Sequence, residues 1–313
     1  MSDARTVSVV SAALLFALLS ASPMNAQQRR RSARSGLPET SVSRLAASAS
    51  FSTPHGVAVD RVSGSIYVAD TGNHVIRRIA ADSVVVFAGS VGVRGSRDGS
   101  GAEARFALPQ GIAVAPDGSL IVADTGNHLI RRIDSHGVVT TIAGPASSFR
   151  FPQGIAVAGD GTIFVADTGN HTIRKISGGQ VTTVAGGFNS PVGIAIAADG
   201  TLVVADAGNG TIRRVALDGT TTTLVSGLQN PEGVAISSAG TIFLSDSCSH
   251  TIRRIDGNTA VTITGSAGNA GSADGVPSVA RFRFPRGMTF DSANTLLVAD
   301  SRNHLIRRIT EVH

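Results

Sequence analysis

One sequence pattern recurs six times along this chain. Each copy reads proline, a variable residue and glycine, then a short apolar run, then Val-Ala-Asp or a close variant, then a Thr-Gly-Asn-His-like turn and a basic pair. A repeating unit of about 40 residues indicates a propeller or a solenoid, because one such unit cannot bury its apolar faces alone. The aspartates of the pattern are Asp70, Asp124, Asp167, Asp206, Asp246 and Asp300. Successive aspartates are separated by 54, 43, 39, 40 and 54 residues.

The cleanest copy, residues 151–186, predicts four antiparallel strands. Its apolar runs lie at 155–157, 162–167, 173–176 and 181–185, with an Asp-Gly turn signal after the first run. Apolar residues occupy both faces of these strands, as expected where neighbouring sheets pack on both sides. Four strands per copy make one propeller blade, so the six copies predict an all-β, six-bladed β-propeller.

The last copy ends after its third strand, at residues 306–309. Residues 41–46 align with the fourth-strand sequence at 181–185, so an N-terminal strand is expected to complete the last blade. This closure joins the two ends of the chain and leaves no open sheet edge between them. The predicted propeller therefore spans residues 41–313.

Two copies contain the letters N-H-L, at Asn127-His128-Leu129 and at Asn303-His304-Leu305. Two more copies keep the Asn-His pair. Over residues 41–313 the chain resembles the NHL-repeat family. The resemblance implies a six-bladed propeller, a fold that serves binding modules and enzymes alike.

The N-terminus has a different character from the repeats. Arg5 precedes an apolar run at 7–19, and small residues up to Ala26 follow. This layout predicts a signal peptide at 1–26, with an uncleaved anchor as the alternative, although the run is short for a bilayer span. The Arg- and Ser-rich segment 27–40 is predicted to be a flexible linker. We therefore expect a secreted or periplasmic protein with no membrane span after cleavage.

Composition limits the classes of function. The chain is 42% hydrophobic and 16% charged, which is globular. The net charge is +5, yet residues 41–313 carry 22 basic and 20 acidic groups, so we expect no nucleic-acid partner. Cys248 is the single cysteine, which rules out an intramolecular disulfide.

Residues that recur in every copy are interpreted as structural. Each repeat aspartate is expected to bond backbone N–H groups of its turn and to pair with an arginine of the next strand, as Asp70 does with Arg77. A ring of cation-binding carboxylates and a basic rim for an acidic partner are the alternatives. The turn histidines are spread around the ring, whereas a metal needs several ligands at one point. We expect no metal and no cofactor.

The variable residue of the Pro-x-Gly motif is glutamine in two blades. In the other four blades it differs in charge, in hydrogen-bonding type or in both. These residues should lie where the innermost strands begin, at one mouth of the central channel, and could form a ligand site. The alternative is a water-filled mouth with no ligand. Some NHL-like lyases that process amidated peptides hold zinc with histidines at three such positions, and only one position matches here. The six residues, called the mouth residues below, are His55, Gln110, Gln153, Val192, Glu232 and Arg286.

Two inserts share the pattern D-G-x₄-A-R-F and explain both 54-residue separations. They precede the second and sixth copies. Their candidate contact residues are Asp98 and Arg105 in the first insert, and Asp274 and Arg281 in the second. We expect both inserts to enlarge the rim on the face of the channel mouth, with Phe106 and Phe282 packed between blades.

The sequence thus predicts an exported, monomeric propeller that binds a protein, peptide or glycan on this face. The alternative is a lactonase- or lyase-like enzyme with chemistry around His55, Glu232 and Arg286. Nucleic-acid binding is a third class, which the predicted export and the nearly neutral body disfavour.

Overall fold

The computed structural model describes residues 40–46, 49–80 and 83–310. The predicted signal peptide and the predicted linker up to residue 39 lie outside these residues. No helix in the described ranges is long and apolar enough to cross a membrane.

The prediction of six antiparallel blades is confirmed. Blade 1 contains β2 (Val57–Val59), β3 (Ile66–Asp70), β4 (Val75–Ala80) and β5 (Ser83–Gly89). Blade 2 contains β7 (Pro109–Val114), β8 (Leu120–Asp124), β9 (Leu129–Ile133) and β10 (Val138–Ala143), with β6 (Gly99–Ser100) added outside β10. Blade 3 contains β11 (Pro152–Val157), β12 (Ile163–Asp167), β13 (Thr172–Ser177) and β14 (Gln180–Ala185).

The remaining blades repeat this order from the channel outwards. Blade 4 contains β15 (Pro191–Ile196), β16 (Leu202–Asp206), β17 (Thr211–Val215) and β18 (Thr221–Val225). Blade 5 contains β19 (Pro231–Ile236), β20 (Ile242–Asp246), β21 (Thr251–Asp256) and β22 (Thr259–Gly265). Blade 6 contains β23 (Pro285–Phe290), β24 (Leu296–Asp300), β25 (Leu305–Thr310) and β1 (Ser41–Leu45).

A short 3₁₀ turn connects the second and third strands of every blade. The residue that ends the turn has a left-handed backbone, with φ near 60°, and it is histidine in five blades and Gly210 in blade 4. The six turns are Thr71–Asn73, Thr125–Asn127, Thr168–Asn170, Ala207–Asn209, Ser247–Ser249 and Ser301–Asn303. Two further 3₁₀ helices are Gly101–Glu103 and Pro145–Ser147.

The predicted closure by the N-terminal strand is confirmed. Strand β1 pairs antiparallel with β25 from Ser41 opposite Thr310 to Leu45 opposite Ile306. Leu45 packs in a cluster that also contains residues of β2, β3 and β4 of blade 1. Closure continues at the channel, where the Gly287 N–H of blade 6 donates to the His55 carbonyl of blade 1 over 3.0 Å. The N- and C-terminal ends of the propeller are therefore joined from the outer strand to the innermost one.

The Pro-x-Gly glycines form a tight neck in the central channel. A Cβ on Gly56 would lie 2.2 Å from the Gln110 carbonyl oxygen, and one on Gly111 would lie 1.8 Å from that of Gln153. The same near-contact recurs between all successive blades, ending with Gly287 against His55. Since even one methyl group would collide with a neighbouring backbone, glycine is required wherever the inner strands meet.

Candidate functional site

The repeat aspartates are buried parts of the scaffold. Asp124 accepts hydrogen bonds from the Ala107 N–H at 2.8 Å, Asn127 at 2.8 Å and Arg131 at 2.7 Å. An equivalent arginine pairs with the aspartate in all six blades, which confirms the predicted ion pairs. The expected bond to the aspartate's own turn is wrong, because no such side-chain cap forms. Each carboxylate instead accepts an N–H from the loop 17 or 18 residues earlier, so it anchors the entry into its blade.

The turn histidines link neighbouring blades. The Nδ1 atom of His128 accepts the Phe151 N–H over 2.9 Å, and that of His304 accepts the Thr53 N–H over 3.0 Å. The other three histidines make the same bond to the residue before the next blade's proline. One ring nitrogen of each histidine is therefore used within the protein.

No group of three or more metal-ligating side chains converges within the described ranges. Cys248 is exposed on the blade 5 turn. Partial burial of its thiol, and then the charges of Glu232 and Asp246, raise the pKa of that thiol. A raised pKa disfavours the thiolate that a metal would bind.

The two inserts act as clamps on the outer edge of their blades. Asp98 binds the fully buried Arg131 at 2.6 Å, and it accepts the Thr141 N–H of β10 over 3.0 Å. Asp274 similarly binds the fully buried Arg307 at 2.6 Å and Arg44 of β1 at 3.3 Å. These carboxylates engage third and fourth strands, so they lie apart from the mouth residues on the first strands.

The structure also places the phenylalanines and the remaining arginines of the two inserts. Phe106 and Phe282 are fully buried, which confirms their predicted packing role. The guanidinium groups of Arg105 and Arg281 donate to carbonyls of their own inserts. Asp98 and Asp274 therefore fasten the inserts to their blades, whereas Arg105 and Arg281 bond within the inserts.

The mouth residues do converge. A cavity of about 390 Å³, called the mouth cavity below, opens where the innermost strands begin. His55 lies just beneath it, at the narrow neck of the channel. The residues that line the mouth cavity come from blades 2 to 6. They are Gln110, Gln153, Thr168, Ser190, Val192, Ala207, Gly208, Asn230, Glu232 and Arg286.

Glu232 is the centre of the polar cluster. Its Oε2 atom lies 3.2 Å from Arg286 Nε and 3.7 Å from His55 Nε2, while its Oε1 atom accepts the Asn230 amide at 2.8 Å. Glu232 is 7% exposed and His55 is 5% exposed. Oε2, Nε and Nε2 are buried, yet none has a well-directed hydrogen bond, and the same holds for Gln110 Oε1. Three of these atoms belong to residues that line the mouth cavity, and the fourth belongs to His55 at the neck beneath it. In native proteins such buried polar atoms call for a partner.

Burial shapes the protonation of this cluster. Burial, together with the Arg286 charge, lowers the pKa of His55 well below 6.5, so its ring is neutral at pH 7. The 3.7 Å contact between His55 and Glu232 is therefore not an ion pair. Burial raises the pKa of Glu232, although Arg286 and the Asn230 amide both oppose this shift.

Sequence reasoning missed two residues that position the cluster. Ser245 stands where the other copies have alanine, and its hydroxyl accepts the Gly233 N–H at 2.7 Å and donates to the Arg286 carbonyl at 2.7 Å. Asn230 precedes the proline of blade 5 in a left-handed conformation, with φ of 65°, and holds Glu232. Asn230 follows the one blade whose turn lacks histidine. At Ser245 the signal was a departure from the alanine of the other copies, whereas the position of Asn230 varies among the copies and is left-handed in all six blades.

Comparison with known proteins identifies the repeat. The NHL repeat model matches six segments, 51–79, 106–133, 149–176, 188–214, 228–255 and 282–309, which together cover more than half of the chain. NHL repeat-containing protein 2 of Bos taurus is 38% identical over 92 residues, which are 29% of this chain. Those residues span only 12% of that relative's length.

Solved structures share the fold. The virginiamycin B lyase of Staphylococcus aureus has a TM-score of 0.60 at 15% identity, covering 88% of this chain and 99% of the lyase chain. A gluconolactonase of Xanthomonas campestris has a TM-score of 0.66 at 16% identity, covering 87% of this chain and 94% of its own. At such low identity these likenesses concern the propeller alone.

Proposed function

We propose that this chain, which belongs to the NHL-repeat family, is a binding module. Its repeats build the propeller, and its mouth residues vary from blade to blade. It takes part of a protein, peptide or glycan into the mouth cavity and presents its loop face outside the cytoplasm. Export in this proposal rests on the layout of the first 26 residues.

One observation carries the proposal. Four buried polar atoms without hydrogen bonds, from blades 1, 2, 5 and 6, belong to residues at the mouth cavity or at the neck just beneath it. A buried donor or acceptor that lacks a partner costs about 1–3 kcal/mol, and a bound group that completes the hydrogen bonds recovers part of that cost. The mouth residues also follow no repeat, unlike the aspartates, arginines and histidines that hold the blades together.

An enzymatic role is the second candidate, and the pair His55 and Glu232 favours it. The two side chains are 3.7 Å apart, one with a lowered pKa and one with a raised pKa. Burial thus perturbs the pKa of both neighbouring groups, and perturbed pKa values cluster at functional sites. An assay of lactone hydrolysis, in which the released proton is measured, tests the enzymatic role. Turnover that disappears in both His55→Gln and Glu232→Gln would replace the binding module with an enzyme.

The binding proposal is tested with the full chain on peptide and glycan arrays. The double variant His55→Ala with Glu232→Ala is expected to lose the partners of the wild type while its circular dichroism spectrum stays unchanged. Arg61→Ala is the matched control, because Arg61 lines the opposite mouth of the channel. If the double variant keeps all wild-type partners, the mouth cavity is not the binding site.

A further inference from the structure

The ion pair at the mouth has unused hydrogen-bonding capacity on both of its sides. Glu232 Oε2 and Arg286 Nε are 3.2 Å apart, both atoms are buried, and neither forms a hydrogen bond. The carboxylate oxygen accepts and the Nε–H donates. A single hydroxyl serves both atoms, because it can donate to Glu232 and accept from Arg286. An amide N–H only donates and a carbonyl only accepts, so neither group satisfies the pair alone.

The rest of the lining extends the same pattern. Gln110, Gln153 and Asn230 each bring a primary amide to the cavity, and Gln110 Oε1 is buried without a partner. Each amide offers a donor and an acceptor side by side. Two adjacent hydroxyls on a ring match such a pair, since one donates while the other accepts. The cavity, at about 390 Å³, lies within the range of small-molecule sites.

Charged ligands fit this lining poorly. An anion presents only acceptors, and it would face the acceptors Glu232 Oε2 and Gln110 Oε1. The one cationic side chain of the cavity, Arg286, already has Glu232 as its counter-ion. No aromatic side chain lines the cavity among the described residues, and Val192 is its only branched aliphatic side chain there, so an apolar peptide anchor has no matching pocket.

We infer that the mouth cavity binds a neutral, hydroxyl-rich ligand: a sugar ring, whether free or at the end of a glycan. One hydroxyl bridges Glu232 and Arg286, and its neighbours meet the glutamine and asparagine amides. This inference rests on the proposed binding role of the same cavity and narrows its ligand to one chemical class.

The test is calorimetric titration of the full chain with neutral hexoses, with neutral oligosaccharides and with the matching uronic acids. We expect neutral sugars to bind at millimolar concentration or below, and uronic acids to bind at least about tenfold more weakly. Tighter binding of oligosaccharides than of hexoses would assign the site to glycan ends. The reverse order would assign it to free sugars.

Glu232→Gln removes the carboxylate but keeps the side-chain size, and it should weaken sugar binding at least about tenfold. Glu103→Gln makes the same change on an exposed insert residue and should leave binding unchanged. Uronic acids that bind as tightly as neutral sugars, or the absence of binding by any neutral sugar, would overturn the ligand class. The proposed binding role fails separately, if the His55→Ala and Glu232→Ala double variant keeps the wild-type partners on the arrays.

Discussion

Replacing Leu45 with alanine tests whether the N-terminal strand really closes the ring. Leu45 is 5% exposed, and its cluster joins blade 6, through Leu297 and Ile306, to blade 1. Truncating a buried leucine removes transfer free energy and leaves a cavity, at a cost of about 2–5 kcal/mol. We expect Leu45→Ala to lower the free energy of unfolding by about 3 kcal/mol, because β1 is an outer strand whose neighbours can relax partly into the cavity.

The assay is thermal and urea unfolding followed by circular dichroism. For a domain of this size, about 3 kcal/mol corresponds to a melting temperature lower by roughly 6–12 °C. Leu217→Ala is the matched control, because Leu217 is 78% exposed and its loss should change stability by less than about 0.5 kcal/mol. Equal melting temperatures for the two variants would refute closure by β1. Removing residues 41–46 altogether should destabilise the whole propeller for the same reason.

Two further predictions concern the channel. Gly56→Ala should destabilise the propeller strongly, because its Cβ would lie 2.2 Å from the Gln110 carbonyl oxygen. Gly159→Ala, which has open space around it, should not. The urea midpoints of both variants check this prediction. The free energy of unfolding should fall as pH drops below about 6.5, because the lowered pKa of His55 leaves it neutral in the native state while the unfolded state takes up a proton. His55→Gln should flatten that dependence; an unchanged slope would argue against a buried neutral His55.

The repeat made the fold predictable. The periodic apolar runs gave four strands per blade, and the copy that lacked a fourth strand, together with residues 41–46, indicated the closure now seen between β1 and β25. The pairing of Asp70 with Arg77 also followed, because strand geometry alone places the two side chains on one face.

Contacts between blades were less predictable. That each turn histidine accepts an N–H from the next blade depends on how two blades meet, which no single copy encodes. The insert carboxylates Asp98 and Asp274, predicted as contact residues of the rim, also bind buried arginines, which the sequence did not indicate. The equivalent arginines of blades without an insert are 14–24% exposed, whereas Arg131 and Arg307 are fully buried.

The candidate site was predictable in its position but not in its chemistry. The Pro-x-Gly position indicated which side chains reach the mouth. The cluster around Glu232 depends on Asn230 and Ser245, whose roles follow from distances across two blades. Ser245 departs from the alanine of the other five copies, whereas Asn230 stands at a position that varies among the copies and therefore carries no such signal.

We propose that the repeated residues hold the propeller together, whereas the mouth residues bind the ligand. Melting temperatures and sugar affinities of Asp124→Asn and Glu232→Gln test this division most directly. Asp124→Asn leaves the buried Arg131 without its nearest buried carboxylate and should cost about 3–5 kcal/mol. Glu232→Gln should melt within a few degrees of the wild type and lose sugar binding. A stable Asp124→Asn protein, or a Glu232→Gln protein that unfolds early and still binds when folded, would contradict the claim.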